Sequence, residues 1–151
     1  MRYAVIDAAP EHIPAIAAGC RQADIDEVWN AAALTVTDAL RISLKTAALA
    51  RTWLIDGVPA AIGGVSKVGV GQGVIWLITT DLLDHHQRAF LAESRRELEQ
   101  VREGYDLLYN FVDARNTRAI RWLQWLNFEM GPEIPYGVFR KPFRYFERRA
   151  A

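Results

Sequence analysis

The chemistry-bearing residues of this 151-residue chain sit in a few short stretches. "TTDLLDHHQRAF", Thr79 to Phe90, ends an apolar run and opens a helical pattern, so it offers backbone N–H groups at a helix start. Within it, Asp84-His85-His86 has the residue types of a metal site. Adjacent side chains on a helix diverge by about 100°, so His85 and His86 do not converge on one ion, and a solvated first turn is the expectation. Cys20 and His12 have the types of a nucleophile and its base. They lie about 12 Å apart along one predicted helix, too far for a hydrogen bond, and Cys20 reads as a buried core thiol. "NTRAIRWLQWLNF", Asn116 to Phe128, brings two tryptophans, an Asn at each end and a Phe. Trp122 and Trp125 at a three-residue spacing either stack a ligand or pack under a strand, and packing is the expectation. Asn116 is placed to cap the helix, and Asn127 tolerates the left-handed backbone that stops it.

The elements that hold these residues follow from periodicity. "RYAVID", Arg2 to Asp7, reads as a strand. Ile13, Ile16, Ala17 and Cys20 share one face of a first helix; further helices are predicted over Ile25–Ala33 and Thr37–Lys45, the latter capped by Thr35 or Thr37. From Arg51 the pattern alternates as strands do. Asp56-Gly57 predicts a tight hairpin, since both central residues of such a turn need positive φ. Gly63-Gly64 predicts a bulge or a close backbone approach. Val74–Thr79 is nearly all apolar and predicts a strand buried on both faces. A long helix over Asp84–Glu103 follows, with Asp84 and Gln87 as a capping box, Phe90, Leu91, Leu98 and Val101 as its apolar stripe, and Gly104 as its stop. "DLLYNFVDA" predicts a buried strand, Thr117–Leu126 a helix, and the last stretch a hairpin in which Pro142 marks an edge or a bulge. Its tail, "YGVFRKPFRYFERRAA", has aromatics expected to face the core and arginines expected to be solvated. Were the tail exposed, it would be the best place for a protein or nucleic-acid contact.

Bulk composition narrows the function classes. Eighteen basic and eighteen acidic residues give zero net charge, so no global field gathers nucleic acid or anionic membrane. The single cysteine makes no internal disulfide and no metal pattern. The N-terminal stretch does not read as a signal peptide, and no apolar run reaches the length of a membrane span. A reducing cytoplasm is the expected compartment. The element order predicts one mixed α/β domain over residues 1–151.

That order, with Asn116, Ala119, Trp122, Leu123 and Asn127-Phe128 in register, resembles the GNAT family of acetyl-CoA-dependent N-acetyltransferases. The opening "VIDAAPEHIPAI" is similar to the usual first strand and helix of that family. The resemblance implies a single α/β (α+β) domain with a mixed, mostly antiparallel central sheet flanked by helices. More narrowly, "ADIDEVW", "PAAIGGV", "IWLITTD" and "YDLLYNFVDARNTRAIRWLQWLNF" together resemble small GNAT-like proteins of short-tailed bacteriophages, known as internal virion or morphogenesis proteins. That implies a role in virion assembly, other phage virion proteins as partners, and the host cytoplasm as the place of action.

The family's chemistry is altered at two positions. GNAT enzymes hold the CoA pyrophosphate on a glycine-rich loop after the fourth strand; here the loop has no glycine and carries Asp81 and Asp84, which repel phosphate. The family's proton-donating Tyr falls in register on Leu123; losing such an acid costs about 10²–10⁴ in rate. Tyr105 and Tyr109 are the available substitutes, and Glu129 and Asp113 the available bases. If acetyl-CoA binds, the resemblance puts it on the backbone of Ile78, Thr79 and Thr80 and on Asn116. Assembly protein with a weakened CoA site is the first reading, working N-acetyltransferase the second, and nucleic-acid binding through the tail the third.

Overall fold

The computed structural model describes residues 2–150. In chain order it runs β1 (Tyr3–Asp7), α1 (Ile13–Gly19), α2 (Gln22–Ala32), α3 (Val36–Thr46), β2 (Leu49–Ile55), β3 (Val58–Gly69), β4 (Gln72–Thr79), α4 (Gln87–Val101), β5 (Leu107–Asp113), α5 (Thr117–Trp125), β6 (Glu129–Tyr136) and β7 (Lys141–Arg149). Short 3₁₀ turns at Pro10–His12, Asp81–His85 and Arg102–Gly104 join some of these. The strands form one sheet in the order β1-β2-β3-β4-β5-β7-β6. Every pairing is antiparallel except β4 with β5. This is the mixed, mostly antiparallel sheet expected.

Local signals act where they stand. Asp56 and Gly57 both have positive φ, at 49° and 81°, as the tight β2–β3 turn demands. The Thr35 hydroxyl accepts from the Asp38 N–H at 3.2 Å and caps α3. Asn127 has φ 70° and stops α5. Gly64 is a site of close approach: a Cβ there would meet the Leu49 carbonyl oxygen at 2.5 Å. The β2–β3 register shift falls further along, between Trp53 and Leu54, opposite Ala60.

One side of the sheet packs Ile13, Ile16, Leu40, Ile62 and Ile78 together through α1 and α3. α4 and α5 bring Phe90, Leu98, Ile120 and Trp122 onto the strands in two further clusters. Each buried side chain of this size stabilises the fold by about 1.5–3 kcal/mol.

Several expectations need correction. The second helix starts at Gln22, because Arg21 is still extended and bonds the end of β4. Asp84 does not cap α4: residues 81–85 form a tighter 3₁₀ turn, and the helix proper begins at Gln87. β4 is not buried on both faces, since Leu77 is 41% exposed where the sheet opens. Pro142 lies on an interior strand, tolerated because it is the second residue of β7 and its carbonyl accepts from Ala114. β6 is the edge. Of the tryptophan pair only Trp122 is core; Trp125 is 43% exposed with the Arg95 guanidinium 3.7 Å above its ring. In the tail, Phe143 and Phe146 are buried as expected, while Arg144 and Arg148 bond the Gly131 and Leu126 carbonyls instead of standing in solvent.

Gly137 joins β6 to β7 at φ 78°, and a Cβ there would lie 2.6 Å from the Asn30 carbonyl oxygen of α2. Gly137→Ala is expected to destabilise the protein by more than about 1 kcal/mol, since it meets both a left-handed backbone and a backbone clash. Chemical denaturation of the two proteins measures this.

Candidate functional site

β4 and β5 pair in parallel only over Gln72–Val74 with Leu107–Tyr109 and then separate. Side chains take over the unpaired backbone. The Asn110 amide donates to the Ile75 carbonyl at 2.6 Å, spanning the first part of the gap, and its oxygen accepts from the Phe111 N–H at 2.8 Å. At the far end, α2 lies against both strands. Asp24 accepts from the Thr79 N–H at 2.8 Å and from the Thr79 hydroxyl at 2.7 Å. The Arg21 N–H donates to the Thr79 carbonyl at 3.1 Å. Three residues on along α2, Glu27 accepts from the Asp113 N–H of β5 at 2.8 Å. Two carboxylates of one helix therefore terminate the two diverging strands.

A cavity of about 380 Å³ takes in the gap between the strands and extends beyond it under α3 and α4. Strand alternation aims the backbone groups of Ile75, Leu77 and Thr79 across the gap. Those of Ile75 and Thr79 find partners, so the Leu77 backbone is the stretch of β4 turned into open space. Val28, Trp76, Ile78, Phe111 and Tyr136 supply apolar wall.

The polar corner is Asp24, Glu27, Asn116 and Asp113. Asn116 sits at the N-cap position of α5 but makes no side-chain cap bond. Its amide nitrogen instead donates to Asp24 at 3.4 Å and to Glu27 at 3.3 Å. Burial pushes the Glu27 carboxyl up to about 7, the Asp113 N–H pulls against it, and the Asp24 charge adds to the rise. Burial also acts to raise Asp113, but the Arg115 guanidinium and backbone N–H and the Asn30 amide hold that carboxyl below the usual range.

The expected site residues are distributed as follows. Ile78 stands opposite Ile62 of β3, and the Thr80 N–H and hydroxyl both bond the Ala60 carbonyl. Thr79 is held by Asp24, and Asn116 faces the cavity. Leu123, where the resemblance expects a tyrosine, lines the cavity; Tyr105 and Tyr109 do not, and neither does Glu129. Asp113 is buried and committed to Arg115 and Asn30. Cys20 is buried, its thiol pushed up to about 12 by burial and then by Asp24. His12 bonds Thr52, and His86 bonds the Tyr3 hydroxyl. Among the described residues no cluster suits a metal ion. Sequence reasoning missed Asp24, Glu27 and Asn110. The acidic run in "ADIDEVW" was the only signal for Asp24 and Glu27, and Asn110 lay inside the mostly apolar run "LLYNFVD".

The turn after β4 does not fit a pyrophosphate. The N–H groups of Leu83 and His86 are spent inside the turn on the Thr80 and Leu83 carbonyls. Leu83 is fully buried and pins the turn to the core, while Asp84 points out and pairs with Arg118 at 2.8 Å. No glycine lets the backbone approach a phosphate, and the Asp81 and Asp84 charges oppose one.

Because the folded protein holds the Glu27 proton more tightly than the unfolded chain, this group favours folding below about pH 4.5 and loses that contribution as pH rises to about 7. Glu27→Gln is expected to flatten that decline, gaining at most about 3 kcal/mol relative to wild type at pH 8. Urea unfolding of both proteins at several pH values checks the sign and the window.

No protein-family model matches the chain, and no curated protein sequence matches it significantly. Solved structures do. An N-acetyltransferase from Staphylococcus aureus Mu50 superposes with a TM-score of 0.70 at 15% identity, covering 99% of both chains. The ribosomal-protein-S18-alanine N-acetyltransferase from Escherichia coli gives 0.67 at 18% identity over 98% of this chain and 94% of that one. An aminoglycoside acetyltransferase, AAC(6')-Ib, solved with coenzyme A and kanamycin, gives 0.69 at 10% identity over 98% and 95%. The split sheet, the helix order and these superpositions agree: the chain has the GNAT acetyltransferase fold.

Proposed function

We propose that this GNAT-fold protein acts in bacteriophage virion assembly as a protein-binding scaffold whose CoA site is degenerate. The observation that carries the loss of the cofactor site is the closed, acidic turn after β4. Leu123 in the position of the proton donor points the same way. The assembly role and its setting, other phage virion proteins in the host cytoplasm, are supported by the resemblance of four segments spread along the chain.

Partner binding is supported by an exposed aromatic patch. Trp29 of α2 is 49% exposed, Phe139 of the β6–β7 turn 44%, and Val138 58%. The two rings lie 5.9 Å apart, and the Val138 N–H bonds the Ala31 carbonyl, so the patch is one rigid surface. Exposed aromatics held rigid are the residues that dominate protein interfaces.

The second reading is an acetyl-CoA-dependent N-acetyltransferase. It is favoured by the open backbone of Leu77 and by the cavity itself.

Thermal-shift titration separates the two. A ligand at about 100 times its dissociation constant adds about 2.7 kcal/mol, or a rise of about 5–10 °C for a domain of this size. The scaffold reading expects no saturable rise with acetyl-CoA or CoA up to millimolar concentration; a rise of that order revives the second reading, which a screen of amine acceptors then tests. In a pull-down against the other virion proteins, Trp29→Ala with Phe139→Ala is expected to weaken capture at least about tenfold while leaving the melting temperature within a few degrees.

A further inference from the structure

α4 and α5 run side by side in the same direction. Asp84, just ahead of α4, pairs with Arg118 in the first turn of α5. Further on, the Phe90 and Trp122 rings meet with centroids 5.5 Å apart, and then Arg95 meets Trp125. Phe90 and Trp122 are buried in the core. Arg95 and Trp125 lie on the outer side: neither lines the cavity, and neither do Arg88 and Arg121.

Helical spacing collects these residues on one face. Arg88, Ala92 and Arg95 share a stripe of α4 at steps of four and three, with about 10.5 Å of rise between the two arginines. Arg121 and Trp125 are four apart on α5, about 6 Å of rise. All five are exposed. The small side chain of Ala92 leaves the space between Arg88 and Arg95 open.

Charge on this face is unmatched. Among the described residues, Arg88, Arg95 and Arg121 take part in no ion pair. The nearby acids are spent on other cations: Asp84 on Arg118 at 2.8 Å, Glu93 on Arg96 at 2.7 Å, and Glu99 on Arg102 at 2.8 Å and on Arg148 at 3.1 Å. Asp81 and Glu103 lie outside the two ends of α4, in the flanking turns. In a chain of zero net charge, this face holds a local positive surplus. The tail offers less, because Arg144 and Arg148 are held by carbonyls and Arg149 by Glu147.

Aromatic surface accompanies the charge. The Arg95 guanidinium carbon stands 3.7 Å from the centre of the Trp125 ring, a stacking distance, and Trp125 is 43% exposed. A guanidinium stacked on one face keeps N–H donors around its rim and a second face for another flat group.

We propose that the outer face of α4 and α5 binds a single-stranded nucleic acid, a base stacking on the Arg95–Trp125 pair and the neighbouring phosphates meeting Arg88, Arg95 and Arg121. Unpaired bases stack on aromatic rings and on guanidinium planes alike. A duplex hides its base faces, so a stacking platform selects single strands. An acidic peptide would satisfy the arginines but would leave the exposed indole without a role. No side chain here is placed to read base edges, so binding is independent of sequence. The inference goes beyond the scaffold reading and uses none of the cavity residues.

The test is fluorescence anisotropy of a labelled oligothymidylate of about ten nucleotides with the intact chain, at about 50 to 200 mM salt. An abasic strand of the same length, a duplex and an oligoglutamate peptide are the comparisons. Expected is saturable binding whose logarithm falls with log salt at a slope of about −2, from three phosphate contacts at about 0.7 each. The abasic strand should bind at least about tenfold more weakly. Arg88→Ala and Arg121→Ala should each make the slope shallower by about 0.7. Trp125→Ala should weaken binding about tenfold and leave the slope unchanged. Arg140→Ala with Lys141→Ala, in the tail, should change neither. All of these side chains are exposed, and melting temperatures check that the variants fold. Absence of saturable binding, equal binding of the abasic strand, tighter binding of the duplex, or a slope that only the tail variant alters overturns the proposal. Tighter binding of oligoglutamate also overturns it and assigns the face to an acidic protein segment. The comparison of intact and abasic strands needs no variant. CoA titration and partner capture judge the scaffold reading separately.

Discussion

A parallel strand pair that separates after three residue pairs must still satisfy its backbone, and the rest of the site follows from that. Buried N–H and C=O groups need partners. Here the substitutes are side chains: Asn110 at the start of the gap, Asp24 and Glu27 at its end. Because both carboxylates come from α2, the helix is fixed to β4 and β5 together. The opening is thus held by specific hydrogen bonds and is not a packing defect.

The same solution concentrates negative charge. Asp24, Glu27 and Asp113 meet within one corner, and only Asp113 has a close guanidinium of its own. Burial first, with the Asp24 charge adding to it, pushes the Glu27 carboxyl up to about 7. A corner made only of apolar groups would avoid that cost but would leave the Thr79 and Asp113 N–H groups unpaired. The acidic character of the cavity is a consequence of ending two strands with a helix.

The chain has the GNAT fold, and two of its positions are filled by side chains that pack into the core. Leu83 pins the turn after β4 into the core beside Phe90 and Trp122, a role that needs bulk and hydrophobicity, not glycine. Leu123 packs against the cluster that holds Ile120 and Phe128. Both residues serve packing, in keeping with a fold that superposes over nearly the whole length of acetyltransferases at 10–18% identity. A fold hosts many functions, and function follows the residues at the site.

What the sequence by itself determined is local. Asp56-Gly57, Thr35 and Asn127 act through their own backbone within a few residues, and the stripe Phe90, Leu91, Leu98 and Val101 encodes its own buried face. The order of elements and the register around Asn116 and Leu123 carried the fold. Tertiary structure alone decided the site. Asp24 meets Thr79, Glu27 meets Asp113 and Asn116 meets both acids across separations of 55, 86, 92 and 89 residues. Asn116 was legible as a cap, yet its amide turns to the acids because a nearby carboxylate is a stronger acceptor than its own helix offers a donor. Asp84, legible as a cap, is drawn to Arg118 for the same reason. Periodicity and capping depend on neighbours in the chain; charge pairs depend on neighbours in space, and only folding brings those together.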